Sequence, residues 1–129
     1  MNTAIYCTGL LGLLIFGLGV FVSRMRRATG TGIGIKDDPT DLLHKAVRAH
    51  ANACEYAPMM ALLILLLGAR DPGGWLLWTF IAATAARYLH AAGMLLSRTL
   101  AGPHPLRFVG ALGTYVTGVI LSVATFFYV

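Results

Sequence analysis

The chain has 129 residues, of which 57% are hydrophobic and only 12% are charged, and its mean hydropathy is +0.74. A soluble domain of this size carries about a quarter charged residues, so the composition excludes that class and favours a single membrane domain over residues 1–129. The net charge of +5 does not indicate nucleic acid, because the basic residues form no patch with interleaved aromatic side chains. We therefore expect no nucleic acid among the partners.

Four apolar segments are long enough to cross a hydrocarbon core of about 30 Å. Arginines follow the first segment instead of preceding it, which is the reverse of a secretion signal, so we expect this segment to be a retained helix. Thr40 or Asp41 is the predicted N-cap of the second helix. The fold class predicted is an all-α integral membrane bundle with spans at about 3–23, 41–68, 75–96 and 106–128.

Basic and aromatic residues predict the orientation of this bundle. Lysine and arginine concentrate in the first and third connections, whereas the second connection contains only Arg70 and the termini contain none. By the positive-inside rule, both termini lie outside the cytoplasm. Aromatic side chains cluster near the opposite interface, where an aromatic belt forms in membrane proteins.

The second predicted helix carries a polar stripe. At about 100° per residue, five polar side chains fall within roughly 80° of one face; they are Asp41, His44, Arg48, Asn52 and Glu55. Charged groups at membrane depth are costly and usually face a bundle interior or a wet cavity. We therefore expect the stripe to point inward.

The other helices supply partners for the stripe. Arg87 and His90 lie on the third predicted helix and Arg107 opens the fourth, so all are expected to surround one cavity in the cytoplasmic half. The alternative is a structural ion pair that joins Glu55 to Arg87 or Arg48 and holds helices two and three in register. One carboxylate among surplus cations suits a ligand that is mainly anionic but carries an ammonium group.

Small residues recur every four positions along the fourth predicted helix, at Gly110, Thr114, Gly118 and Ser122. In lipid such a stripe lets helix backbones approach closely. The close packing lies either within one protomer or between protomers.

The polar stripe belongs to the run Arg48-Ala49-His50-Ala51-Asn52-Ala53-Cys54-Glu55-Tyr56-Ala57-Pro58. This run resembles the signature of the MAPEG family, the membrane-associated proteins in eicosanoid and glutathione metabolism. The Arg-x-x-His pair of the third helix and the arginine at the start of the fourth also fit the family pattern. The short chain and its glycine-rich first connection are most similar to the bacterial members.

The resemblance implies a homotrimer of four-helix bundles in a bacterial inner membrane, with reduced glutathione bound between neighbouring protomers near the cytoplasmic side. Known members include glutathione transferases, glutathione peroxidases, prostaglandin and leukotriene synthases, and a non-catalytic lipid-binding protein. Carried over by position, the glutathione contacts or their supports are Arg48, Asn52, Glu55, Arg87 and His90. Arg107 matches the arginine placed near the glutathione sulfur, which makes it the candidate catalytic residue.

The chain departs from the pattern of some eukaryotic members. Ala51 replaces a second arginine, Met94 replaces a tyrosine, and no tyrosine lies near Ala111, since Tyr115 comes one turn too late. Eicosanoid synthesis is therefore poorly supported, and binding is better supported than catalysis.

The function expected is a glutathione-dependent transferase or peroxidase that acts on lipophilic electrophiles or lipid hydroperoxides in the membrane. Lipophilic small molecules and membrane lipid are the other expected partners. A non-catalytic ligand-binding or scaffold protein on the same fold is the alternative, and a small transporter subunit or proton relay is a third. No metal site is predicted, since His44 and His50 lack a convergent third ligand.

Overall fold

The computed structural model describes residues 1–128, which form four α-helices. These are α1 (Asn2–Thr29), α2 (Leu42–Gly68), α3 (Gly74–Leu96) and α4 (Pro105–Thr125). α1 continues to Thr29, beyond the predicted end of the first span, and Gly30 closes it in the left-handed conformation with a φ of 65°. α4 ends at Thr125, before the predicted end of the fourth span.

Asp41 is the N-cap of α2, which confirms one of the two residues predicted for this position. Its carboxylate accepts a hydrogen bond of 2.8 Å from the backbone N–H of His44. The first turn of α2 is also tied to the end of α3, because the buried Lys45 Nζ donates to the Ser97 carbonyl oxygen at 3.0 Å. These contacts hold the first turn of α2, where the polar stripe begins, in place.

Three of the four helices, α1, α2 and α4, are long and apolar enough to cross a membrane. α3 has 23 residues and is also long enough, but Arg87 and His90 lower its mean hydropathy. The helical bundle is therefore confirmed among the described residues, and the membrane crossing of α3 stays a prediction.

The helices pack as two close pairs, α1 with α2 and α3 with α4. α2 and α3 contact each other through the centre of the bundle, while α1 and α4 lie on opposite sides of it. α2 also contacts α4, and the candidate site lies where these two helices meet α3.

Glycines allow the close approach of α3 to α4. A Cβ atom at Gly110 would overlap the backbone of His90, and one at Gly93 would overlap the backbone of Arg107. Gly110 and Thr114 are buried, whereas Ser122 is exposed. The first half of the small-residue stripe therefore packs within the protomer.

We expect Gly110→Ala to destabilise the bundle by about 1–3 kcal/mol, because the added methyl group overpacks a rigid backbone contact. A thermal unfolding scan in detergent measures the effect. Gly118→Ala is the matched control, since a Cβ at Gly118 meets no atom within 4 Å. Equal midpoints for the two variants would contradict the packing described for Gly110.

Candidate functional site

The inner face of α2 is made mainly of small side chains alongside the polar stripe. The buried residues of its first five turns include Ala46, Ala49, Ala53 and Ala57. Alanines permit closer helix packing than charged side chains do, so α2 turns this face, and not the polar stripe, towards the bundle.

The polar stripe therefore lies at the edge of the bundle. Arg48 and Glu55 are exposed on the single chain, while Asp41, His44 and Asn52 are partly buried. The prediction that the whole stripe points inward is wrong. Of the α2 residues that the family resemblance marks as glutathione contacts, only Asn52 contacts a buried side chain, which is that of Arg87.

Arg87 is the buried centre of the site, with 1% of its surface exposed. Its Nη2 donates to Asn52 Oδ1 at 2.7 Å and to the Asn52 carbonyl oxygen at 3.2 Å. Its Nη1 donates to Thr114 Oγ1 at 3.2 Å, so one guanidinium joins α3 to both α2 and α4. The alternative ion pair between Glu55 and Arg87 or Arg48 is absent from the described part of the chain, because Glu55 lies on the outer side of α2.

Two tyrosines, one on α2 and one on α4, extend this cluster. The guanidinium carbon of Arg87 lies 5.2 Å from the centroid of the Tyr56 ring, within cation–π range. The Tyr56 and Tyr115 rings pack edge to face with centroids 5.9 Å apart, and their hydroxyl oxygens are 3.5 Å apart. Sequence reasoning missed both residues. The available signal was the spacing of Asn52 and Tyr56, which places them on one face of α2.

His90 and Arg107 form a second group at the start of α4. His90 Nδ1 donates to the Arg107 carbonyl oxygen at 3.0 Å. Arg107 Nη1 donates to the carbonyl oxygens of Leu100 at 3.1 Å and Gly102 at 3.2 Å, which holds the connection between α3 and α4. His90 and Arg107 line a cavity of about 250 Å³ together with Phe108 on α4 and with Pro103 and His104 in this connection.

Within one protomer, the described residues do not form the single cavity that the sequence predicts. Thr114, which contacts Arg87, lies seven residues beyond Arg107 on α4, a rise of about 10 Å. The structure brings together Asn52 with Arg87, and His90 with Arg107, at two levels of the bundle.

Comparison with known proteins decides the family. The model of the MAPEG family matches residues 4–127 of the chain. The chain belongs to the MAPEG family. No curated protein and no solved structure matches it. Together with the apolar helices, membership makes this MAPEG chain an integral membrane protein.

The site of this MAPEG chain has unused hydrogen-bonding capacity. Arg87 Nε is buried and has no hydrogen-bond partner among residues 1–128. Because Asn52 Oδ1 accepts from Arg87, the orientation of the Asn52 amide is fixed and its NH₂ group remains to donate elsewhere. Arg87 Nε has no exposed surface, so the donor that a polar ligand can reach is the NH₂ group of the half-buried Asn52.

Proposed function

We propose that this MAPEG protein is a glutathione-dependent transferase or peroxidase that acts on lipophilic electrophiles or lipid hydroperoxides within the membrane. One observation carries the proposal: Arg48 and Glu55 are exposed on a helix that is apolar enough to cross a membrane. A charged group left at membrane depth costs about 2.5–3.5 kcal/mol on insertion scales. A polar ligand and a second protomer that cover this face remove that cost.

The proposed assembly is a homotrimer in a bacterial inner membrane, with both termini outside the cytoplasm and glutathione between neighbouring protomers. In this arrangement the exposed side of the stripe faces the next protomer instead of lipid. Burial against a protomer and a zwitterionic ligand gives each charged side chain a partner of opposite sign.

The chemistry of the stripe suits reduced glutathione, which has two carboxylates, one ammonium group and a thiol. Arg48 can bind a carboxylate through two parallel hydrogen bonds, and Glu55 can accept from the ammonium group. The two residues are seven positions apart, a rise of about 10 Å along the helix. An extended tripeptide spans a similar length of about 10 Å. Between them, the free NH₂ group of Asn52 can donate to a peptide carbonyl.

Arg107 is the proposed catalytic residue. A guanidinium beside the glutathione sulfur stabilises the thiolate over the thiol, and the thiolate is the nucleophile. His90 acts as a support, because its hydrogen bond to the Arg107 backbone positions the start of α4. Arginine has five donors, so the two contacts to Leu100 and Gly102 leave others for the sulfur.

Calorimetry with purified protein in detergent tests the proposal. We expect saturable binding of reduced glutathione, weakened about 10- to 100-fold in Glu55→Gln, because a charge-assisted hydrogen bond to the ammonium is lost. Asp71→Asn, an exposed carboxylate in the connection between α2 and α3, is the matched control and should bind like the wild type. A folded oligomer that binds no glutathione would sink the proposal and favour the non-catalytic lipid-binding or scaffold alternative.

A further inference from the structure

The end of α1 and the connection that follows it form the most basic part of the chain. Residues 24–36, here called the basic segment, contain four basic side chains and no acidic one, whereas each of the other two connections contains a single arginine and no lysine. Three of the four basic side chains, those of Arg24, Arg27 and Lys36, are exposed. A cluster of this size directly beyond a membrane helix is typical of segments that bind acidic lipid headgroups.

The backbone of the basic segment is held against the helix ends. Arg26 Nη1 donates to the carbonyl oxygen of Gly34, eight residues further along the chain, at 2.9 Å. His44 Nδ1, in the first turn of α2, donates to the Lys36 carbonyl oxygen at 2.8 Å. The chain therefore turns back towards α1 and α2 after Gly30 instead of extending into water.

One apolar side chain protrudes from this held backbone. Ile33 precedes Gly34 and has 95% of its surface exposed, a larger fraction than any other large hydrophobic side chain in residues 1–128. A single exposed apolar residue is ordinary on a soluble surface. Ile33 differs because its neighbour is fixed beside a membrane helix and the charges around it are all positive.

The outer face of α1 marks the depth at which Ile33 lies. Val20 is an exposed apolar residue of this helix, and Arg24, one turn later, is exposed and charged, so the hydrocarbon layer ends between them. Arg26 lies about 3 Å further along the helix axis. Because helical side chains tilt towards the N-terminus, Arg26 draws Gly34 back towards the membrane. The headgroup layer is about 5–7 Å thick on each side, which places Ile33 beside it.

We propose that the basic segment binds the acidic headgroups of the adjacent lipid leaflet, with the Ile33 side chain inserted at their boundary with the acyl chains. Guanidinium and ammonium groups bind lipid phosphates through charge-assisted hydrogen bonds. Each basic residue near an anionic surface raises the affinity about fivefold, and an inserted apolar side chain adds a second anchoring signal. The basic segment lies outside the cluster around Arg87, so this inference is independent of the proposed function.

A lipid titration tests the headgroup contact. Dioleoyl phosphatidylglycerol is added to the full chain in dodecyl maltoside, and the rise in unfolding midpoint gives an apparent affinity. We expect the triple variant Arg24→Gln, Arg27→Gln, Lys36→Gln to bind about 100-fold more weakly than the wild type. Dioleoyl phosphatidylcholine should raise neither midpoint. Arg70→Gln is the matched control, because it neutralises an exposed arginine beyond the opposite end of α2 and should bind like the wild type.

A spin label at position 33 tests the insertion. The label is attached to Ile33→Cys, or to Asp37→Cys as the control, after both native cysteines have been replaced by Cys7→Ser and Cys54→Ser. The protein is placed in nanodiscs that contain phosphatidylglycerol. We expect the label at position 33 to be more accessible to oxygen, which dissolves among acyl chains, than to a water-soluble nickel chelate. The exposed position 37, beyond the basic segment, should show the reverse.

Three outcomes would overturn the inference. An unchanged response of the triple variant to phosphatidylglycerol would show that the basic segment does not bind the headgroup. A label at position 33 that collides mainly with the nickel chelate would show that Ile33 stands in water. A label shielded from both reagents would show that another copy of the chain covers Ile33. None of these results bears on glutathione binding, which calorimetry measures separately.

Discussion

Arg87→Met is expected to weaken glutathione binding about 100-fold and to destabilise the bundle by about 2–5 kcal/mol, since truncating one partner of a buried charged network leaves the others unpaired. The substitution removes the guanidinium that holds Asn52 and Thr114. The Asn52 amide then loses its fixed orientation towards the ligand. Calorimetry gives the affinity, and a thermal scan in the same detergent gives the stability.

Two further variants test why affinity and stability fall in Arg87→Met. Arg87→Lys keeps the charge but not the planar fork, so we expect an intermediate loss of affinity. Arg70→Met removes an exposed arginine from the connection between α2 and α3 and should change neither quantity. Wild-type affinity and stability in Arg87→Met would show that the Asn52–Arg87 contact is dispensable.

The helices of this fold could be predicted because their signals are local. Uncharged apolar segments and the cap at Asp41 each act within a few residues of where a helix begins or ends. The family signature on α2 is also local, and the match over residues 4–127 confirms the resemblance. The lengthening of α1 was missed because its last turns carry arginines, which are compatible with a helix but not with the hydrocarbon core.

The arrangement of the site could not be predicted because it depends on how the helices rotate against each other. Periodicity places Arg48, Asn52 and Glu55 on one side of α2 but does not say which neighbour that side meets. The alanine face of the same helix competes for the bundle interior and packs more closely. The choice of Asn52 over Glu55 as the partner of Arg87 follows from that rotation, as does the contact of Tyr56 with Tyr115.

Arg107→Leu is expected to reduce glutathione-dependent turnover by about 100- to 1,000-fold. The loss of one preorganised donor to an anion at the reacting centre, here the thiolate, lowers kcat by this factor. Glutathione binding should fall far less, since the stripe on α2 supplies the carboxylate and ammonium contacts. Steady-state kinetics with a lipophilic electrophile measure turnover, and calorimetry measures binding. Turnover in the variant should recover as pH rises, because the thiolate then forms without a guanidinium beside it.

The contacts of Arg107 also allow a structural role for this residue instead of a catalytic one. Its Nη1 donates to Leu100 and Gly102, so the substitution also loosens the connection between α3 and α4. Arg98→Leu is the matched control, because it removes an exposed arginine from the same connection and should leave turnover unchanged. A purely structural role predicts that stability and binding fall along with turnover, with no recovery at high pH. A catalytic role predicts a selective loss of kcat that alkaline pH restores, and these two patterns cannot both hold.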